Sequence, residues 1–475
     1  MDVTAPRPDV ASLASARGFL GLALPLAAGA GVNWAMQFIN RLFLSHYSPD
    51  ALAASLPAGM LAYTVQAFFI ASASYVGAFA AQHHGAGEDD EVGAVAWPMI
   101  WLALIAGALA LASLCLRHEI FALFGAAPAV TAGMVALGSW YLAETLPVVL
   151  LAGLSGWFGG LGRTRLVMLL SLGVCLGSIA LNRWLIFGAL GVPALGIHGA
   201  GLATLIATTT GAAIGVALFF GRAMRARFAT WRMRNADPRR LWRFCRSALP
   251  RGGTEVLEMT AMLVFTTAIA GLGTPELAAN NLVFSLYLTV LVPLIGLGQG
   301  ITIGVGQAVG AGRIDVARAI VRRAGWLVAA VLVPAAALFV LAPDLLMSAY
   351  VSVDDADPAA SAARWREILD HGRPLMWLCA PMFFLDGGHI VFRFAVQGAG
   401  DTRWPLVTLT SAALLVFCLP VMAAARLVPA ETWHAFGLSP LTACWLTFLL
   451  YLAAIFALMV WRYRCGPWAA MTLRR

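Results

Sequence analysis

Lysine is missing from all 475 residues, so the 31 basic side chains are arginines, set against 23 acidic ones. Charge of either sign is scarce: 11% of the chain is charged, where a water-soluble domain carries about 25%. A soluble globular reading fails on that ground. The seven cysteines (115, 175, 245, 379, 418, 444, 465) show no CxxC or other ligand spacing, and most sit in apolar stretches as small hydrophobes. Neither a disulfide framework nor a metal site is expected from them. No Walker-type loop for nucleotide phosphate is present. The opening MDVTAPRPDVASLASARG lacks the short pattern of a cleavable signal, so the first apolar stretch is expected to remain as an anchor.

What is plentiful is apolar length. Hydrophobic residues make up 61% of the chain and mean hydropathy is +0.82. Runs of roughly 20 apolar residues, each long enough to cross a hydrocarbon core as a helix, recur from end to end. They fall near 19–40, 56–82, 94–116, 136–158, 166–189 and 198–221, then 247–271, 279–306, 324–343, 374–398, 405–425 and 440–462. Membrane β-strands would be short and alternating; these runs are continuous. The chain reads as an all-α polytopic membrane protein with twelve transmembrane helices.

The net charge of +8 is explained by topology rather than by nucleic acid. With a cytoplasmic N-terminus, most arginines fall in cytoplasmic segments, as the positive-inside rule requires. The densest run is 222–251, RAMRARFATWRMRNADPRRLWRFCRSALPR, suited to lie on anionic headgroups. The expected layout is a tail over 1–18, a first lobe over 19–221, an Arg-rich linker over 222–246, a second lobe over 247–463 and a tail over 464–475. Both tails are placed in the cytoplasm, at a bacterial inner membrane, and the chain is expected to work as a monomer.

The two lobes repeat one text. Ala23-Leu24-Pro25 matches Ala248-Leu249-Pro250, and Gln82-x-x-Gly85-Ala86-Gly87 matches Gln307-x-x-Gly310-Ala311-Gly312, both 225 residues on. The turn Gly160-x-Gly162-x-Thr164-Arg165 matches Gly398-x-Gly400-x-Thr402-Arg403, 238 residues on. The slip falls in the longer loop 351–373. Each copy holds six helices, an even number, so both enter from the same side as parallel, pseudo-symmetric repeats with a cleft between them. Pro25 and Pro250 are expected to kink their helices. The glycines permit a tight turn, and Arg165 and Arg403 can hold it at the headgroups. A lone GxG is weak evidence for a nucleotide, so the motif is read as structural.

In this order the blocks resemble the multidrug and toxic compound extrusion (MATE) transporters, over essentially the whole chain. The first half carries QHHGAGEDDEV, GGLGRTR and LNRWLIFGALGVPALGIHGAGLAT; the second carries ALPRGGTEVLEMTAM, GQAVGAGRIDVARA and LDGGHIVFRFAVQGAGDTRWP. The resemblance implies efflux of bulky, often cationic or amphipathic compounds, driven by inward H+ or Na+, with no ATP hydrolysis and no prosthetic group. Within the family, Glu258 is similar to the membrane-embedded glutamate of the NorM-like branch. Asp386 and Asp401 resemble two further acidic positions of that branch.

Ionisable groups inside a bilayer are costly, so each is a functional candidate by default. Glu258, in LEMTAM, and Asp386, in FFLDGGHIVF, fall near mid-span. Each is read either as a carboxyl exchanging a coupling ion for a cationic substrate or as a hydrogen-bonded structural acid. Asp386, His389 and Arg393 share one helix face at i, i+3 and i+7. Arg393 is placed to neutralise Asp386, and His389 to relay protons or to act as a packing donor. Asp401 lies in the glycine turn, as a cap or as a partner of Arg403. The first half departs from the family pattern: INRLFLS carries Asn40 and Arg41 where the family commonly has an acidic residue. Asn33, Gln37 and Asn40 form a polar helix face suited to line a cavity. Asn182 and Thr204 add polar positions in spans five and six. Glu144 is the one first-half carboxyl at plausible depth. Ion coupling is therefore expected in the second lobe.

Three other classes compete. A lipid-linked oligosaccharide flippase of the same superfamily would line its cavity with several basic residues. A polytopic enzyme acting on lipids would cluster His and Asp at one interface, whereas the eight histidines are scattered. A channel fits poorly with duplicated lobes, which suit alternating access.

Overall fold

The computed structural model describes residues 10–122, 128–188, 193–231, 237–348 and 358–474. Part of the LIFGALGVPALGI motif, part of the 222–246 linker and part of the 351–373 loop lie outside these. The described residues form helices throughout, and twelve spans cross in order. They are α1 (Ala16–Tyr47), α2 (Pro49–Ala86), α3 (Asp89–Glu119), α4 (Val130–Ala143 with Thr145–Gly160), α5 (Thr164–Phe187) and α6 (Gly196–Phe219). The second bundle holds α7 (Pro238–Ala270), α8 (Thr274–Gly310), α9 (Ile314–Leu341), α10 (Trp365–Ala399), α11 (Arg403–Arg426) and α12 (Pro440–Cys465).

Local chemistry sets several ends. The Ser15 hydroxyl accepts the Gly18 N–H to start α1, Asp237 accepts the Arg239 N–H ahead of Pro238 to start α7, and Ser439 does the same for Thr442 ahead of Pro440 in α12. The spans outrun the apolar stretches that mark them. The 37 residues of α8 extend about 55 Å at 1.5 Å per residue, against a hydrocarbon core of about 30 Å. Its C-terminal end lies beside the arginine-bearing turns, where Gln307 meets Gly160. We call this side the Arg-rich face.

Prolines stand inside several spans. Pro25 and Pro250 lie inside continuous α1 and α7, neither of which is interrupted there. The marked bend, 44°, is in α4 at Glu144. Pro147 has no N–H to give the Ala143 carbonyl, so the ladder opens there. In α11 a π-helical turn, Ala413–Cys418, interrupts the span.

α1–α6 and α7–α12 are two six-helix bundles. α1 packs on α8, and α2 packs on both α7 and α8. The duplicated glycines bring the bundles together: a Cβ at Gly85 would collide with the Gln307 carbonyl, and one at Gly310 with the Gln82 carbonyl.

Candidate substrate and ion site

The second bundle concentrates charge within the spans α7 and α10. Glu258 of α7 is paired with Arg393 of α10, whose side chain is only 6% exposed against 25% for Glu258. One turn earlier, Arg251 Nη1 lies 2.8 Å from Glu255 Oε2. Two carboxylates, Glu255 and Glu258, and two guanidiniums, Arg251 and Arg393, thus form one cluster spanning from α7 to α10, and the cluster is neutral overall. Burial of such charges is tolerable because each has a partner. Tyr63 of α2, across the cleft in the first bundle, is within electrostatic reach of Glu255, Arg251 and Glu258.

Asp386 has a different set of partners. The hydroxyl of fully buried Tyr287 on α8 donates to its Oδ2 at 2.9 Å. His389 Nδ1 is 3.7 Å from its other oxygen, and neither ring nitrogen of His389 has a hydrogen-bond partner among the described residues. Arg393 therefore serves Glu258 and not Asp386, because α10 turns residue 393 toward α7. Of the two readings of Asp401, the structure bears out the cap and replaces Arg403 as the partner. Its carboxylate accepts the Arg462 Nε–H at 2.7 Å and the Trp404 N–H at 3.2 Å, while Arg403 is exposed. Asp401 fastens the α10–α11 turn to α12.

In the first bundle the expected polar stripe divides. Asn33 and Gln37 are exposed, whereas Asn40 is buried, its oxygen accepting from Asn182 Nδ2 at 2.7 Å. Thr204 spends its hydroxyl on the Ala200 carbonyl of its own helix. Glu144, 8% exposed at the α4 bend, accepts from the Thr208 hydroxyl at 2.9 Å.

The glycine turns have a function that their sequence hid. Gly162 and Gly400 adopt positive φ, +76° and +114°. The carbonyls of Gly160 and Gly398 each accept a glutamine from the opposite bundle: Gln307 Nε2 donates to Gly160 at 2.8 Å, and Gln82 Nε2 donates to Gly398 at 2.9 Å. Arg165 and Arg403 remain exposed beside them. Tyr75 adds a third tie, its hydroxyl donating to the Gln397 carbonyl at 2.7 Å. The segment after α12 continues the seam. The Leu473 N–H donates to Gln82 Oε1 at 2.8 Å, and Arg474 spans from Glu88 in the α2–α3 turn to the Gly310 carbonyl at the end of α8. The Arg474 guanidinium holds the Glu88 carboxyl below the ordinary carboxylate range. These contacts close the cleft on the Arg-rich face.

The MatE family profile matches residues 25–184 and again 250–422, starting each time at the proline of the duplicated Ala-Leu-Pro block. The chain belongs to the MATE family. It is 30% identical over 406 residues to a probable multidrug resistance protein NorM of Pseudomonas aeruginosa, covering 82% of this chain and 79% of that one. It is 29% identical over 405 residues to the NorM protein of Pseudomonas putida, covering 83% and 84%. Among solved structures, a MOP-superfamily transporter of Pyrococcus furiosus, described as having a binding pocket of reverse polarity, superposes with a TM-score of 0.82 at 18% identity, covering 98% and 99%. A MATE in complex with MaL6 gives 0.83 at 18% identity, covering 98% and 100%. These fix the fold. A MATE protein is a transporter and not an enzyme, and the NorM resemblance puts this one in a bacterial multidrug-efflux family with multiple membrane spans.

Proposed function

We propose that this MATE protein is a secondary antiporter. It exports bulky, often cationic or amphipathic compounds in exchange for inward H+ or Na+, as the two bundles rock about the cleft. The observation that carries this reading is the Glu258–Arg393 pair beside Arg251–Glu255. A carboxylate held by a tethered guanidinium is a site at which a mobile cation competes with an internal one. Asp386, held by Tyr287 near His389, is the second coupling carboxyl of the same bundle. The Arg-rich face is placed in the cytoplasm with both ends of the chain, at the bacterial inner membrane. In that orientation the cleft, tied shut at Gln82 and Gln307, awaits substrate release outward.

The test is transport in vesicles with pH and sodium gradients imposed separately. Glu258→Gln should abolish gradient-driven movement while leaving the protein inserted. Full activity in that variant would make the carboxyl structural and end the proposal. The flippase reading gains one observation, since Arg251 and Arg393 bring two basic side chains to the same seam. It predicts gradient-independent movement of an anionic lipid-linked sugar and unchanged tolerance to every cationic compound.

A further inference from the structure

A groove of about 490 Å³ runs down the outer surface of the second bundle between α9, α10 and α12, away from the inter-bundle cleft. At its upper end, on the Arg-rich face, stand Arg318 and Arg322, one turn apart on α9, and Arg464 at the end of α12. All three are exposed, and none takes part in an ion pair among the described residues. Their neighbours differ: Arg313 is paired with Asp315, and Arg462 with Asp401. The floor below the arginines is apolar. Gly325 leaves open space where a side chain would stand, and the lining continues to Leu332. From Arg318 to Leu332 the groove runs about 21 Å along the α9 axis, longer than one leaflet's share, about 15 Å, of the hydrocarbon core.

We propose that this groove is a binding site for an anionic phospholipid of the leaflet at the Arg-rich face. An acyl chain lies along Gly325 and Leu332, and the phosphate is held by Arg318, Arg322 and Arg464. The groove offers an anionic lipid charge complementarity at one end and an apolar trough below it. Three guanidiniums from two helices line the same end of the groove, none paired with a carboxylate among the described residues, and guanidinium forks match phosphate oxygens. The apolar trough below them selects a lipid over a soluble phosphate. Basic pockets between membrane helices on the cytoplasmic side are the usual form of such sites. The occupant would touch α10 at Gly388, on the helix that carries Asp386 and Arg393. Nothing in this inference depends on which compound the protein exports.

The test is native mass spectrometry of the full protein titrated with phosphatidylglycerol and, separately, phosphatidylcholine. Each arginine near the headgroup plane is worth about fivefold in affinity, so R318Q/R322Q/R464Q should bind phosphatidylglycerol about a hundredfold more weakly. Gly325→Leu fills the trough without changing charge and should weaken both lipids. Millimolar inorganic phosphate should not displace the bound phosphatidylglycerol. Wild-type affinity in the triple variant, equal binding of the two lipids by the wild type, an unaffected Gly325→Leu variant, or displacement by phosphate would each overturn the proposal.

Discussion

Replacing Arg393 by glutamine removes the guanidinium that faces Glu258 and keeps the length of the α10 side chain. Two opposite charges in contact at an effective dielectric near 20 attract by about 4 kcal/mol. Glu258 is one-quarter exposed, so solvent screens part of that, and a working value is about 2 kcal/mol. Removing one member of a buried pair costs more, about 3–5 kcal/mol, because the other charge is left uncompensated. Glu258→Gln should be the more damaging single change to stability, since it strands the more deeply buried Arg393. The double variant strands neither charge, and its loss should fall short of the summed single losses by about 2 kcal/mol. Unfolding of the four proteins in one detergent reads this cycle. Transport reads the other half: with the tethered cation gone, a coupling ion at Glu258 has no internal competitor. Its apparent affinity in Arg393→Gln should rise by about thirtyfold, the same 2 kcal/mol. Additivity within about 0.5 kcal/mol, or an ion dependence unmoved by Arg393→Gln, would refute the competition argument.

Three further outcomes follow from the geometry. Gln307→Ala removes one cross-bundle hydrogen bond worth about 1 kcal/mol and should raise the population open at the Arg-rich face about fivefold, whereas Gln82→Ala also removes the bond from the Leu473 N–H and should raise it about thirtyfold, read by spin-label distances between the α2 and α8 ends. The Glu88–Arg474 tie should respond to acid: the folded-state carboxyl titrates below its ordinary value of 4.5, so its stabilisation is present above that value and is lost as pH falls through the lowered one. Glu88→Gln should flatten this acid dependence of the same distances, and an unchanged profile would remove Glu88 from the closure. Tyr287→Phe deletes the hydroxyl that donates to Asp386 and should cost about 1.5–3 kcal/mol, as for a bond to a charged group. A merely structural Asp386 would show that loss in unfolding alone, with no change in ion-dependent transport.

The spans were legible because a bilayer core admits little except continuous apolar helix, and all twelve runs lie on helices of the structure. The ends were less so, since α8 and α2 run on past their apolar stretches and are buried between the bundles, where apolar pattern no longer marks a helix. The bend at Glu144 had a signal, Pro147 three residues on, lost in a span read by hydropathy alone. Partner choice was the larger gap. Arg393 and Asp386 share a face of one helix, yet Arg393 answers Glu258, 135 residues away, because its long side chain reaches across to α7. Asp401 likewise reaches Arg462, 61 residues on, rather than its near neighbour Arg403. Glu255 had a cue in its spacing, four residues after Arg251 and three before Glu258.

The glutamines explain why the same short turn is written twice. Two copies of one bundle facing each other across an approximate twofold axis present the same patch to one another, so a contact from the first copy to the second comes with its mirror. Gln82 reaches the turn at Gly398 and Gln307 reaches the turn at Gly160, while Gly85 and Gly310 make the matching backbone approaches. Neither glutamine serves the turn of its own bundle, so no reading of either half alone reveals the pairing. The arrangement has a mechanical consequence. Any rotation that parts the bundles at the Arg-rich face breaks both ties together, at about 2 kcal/mol for the two hydrogen bonds. The asymmetric contacts of Leu473 and Arg474 add to one side of the seam alone. Closure is thus built from a symmetric pair of small, reversible bonds, the Tyr75–Gln397 bond and a single strap, which suits a gate that must open in every cycle.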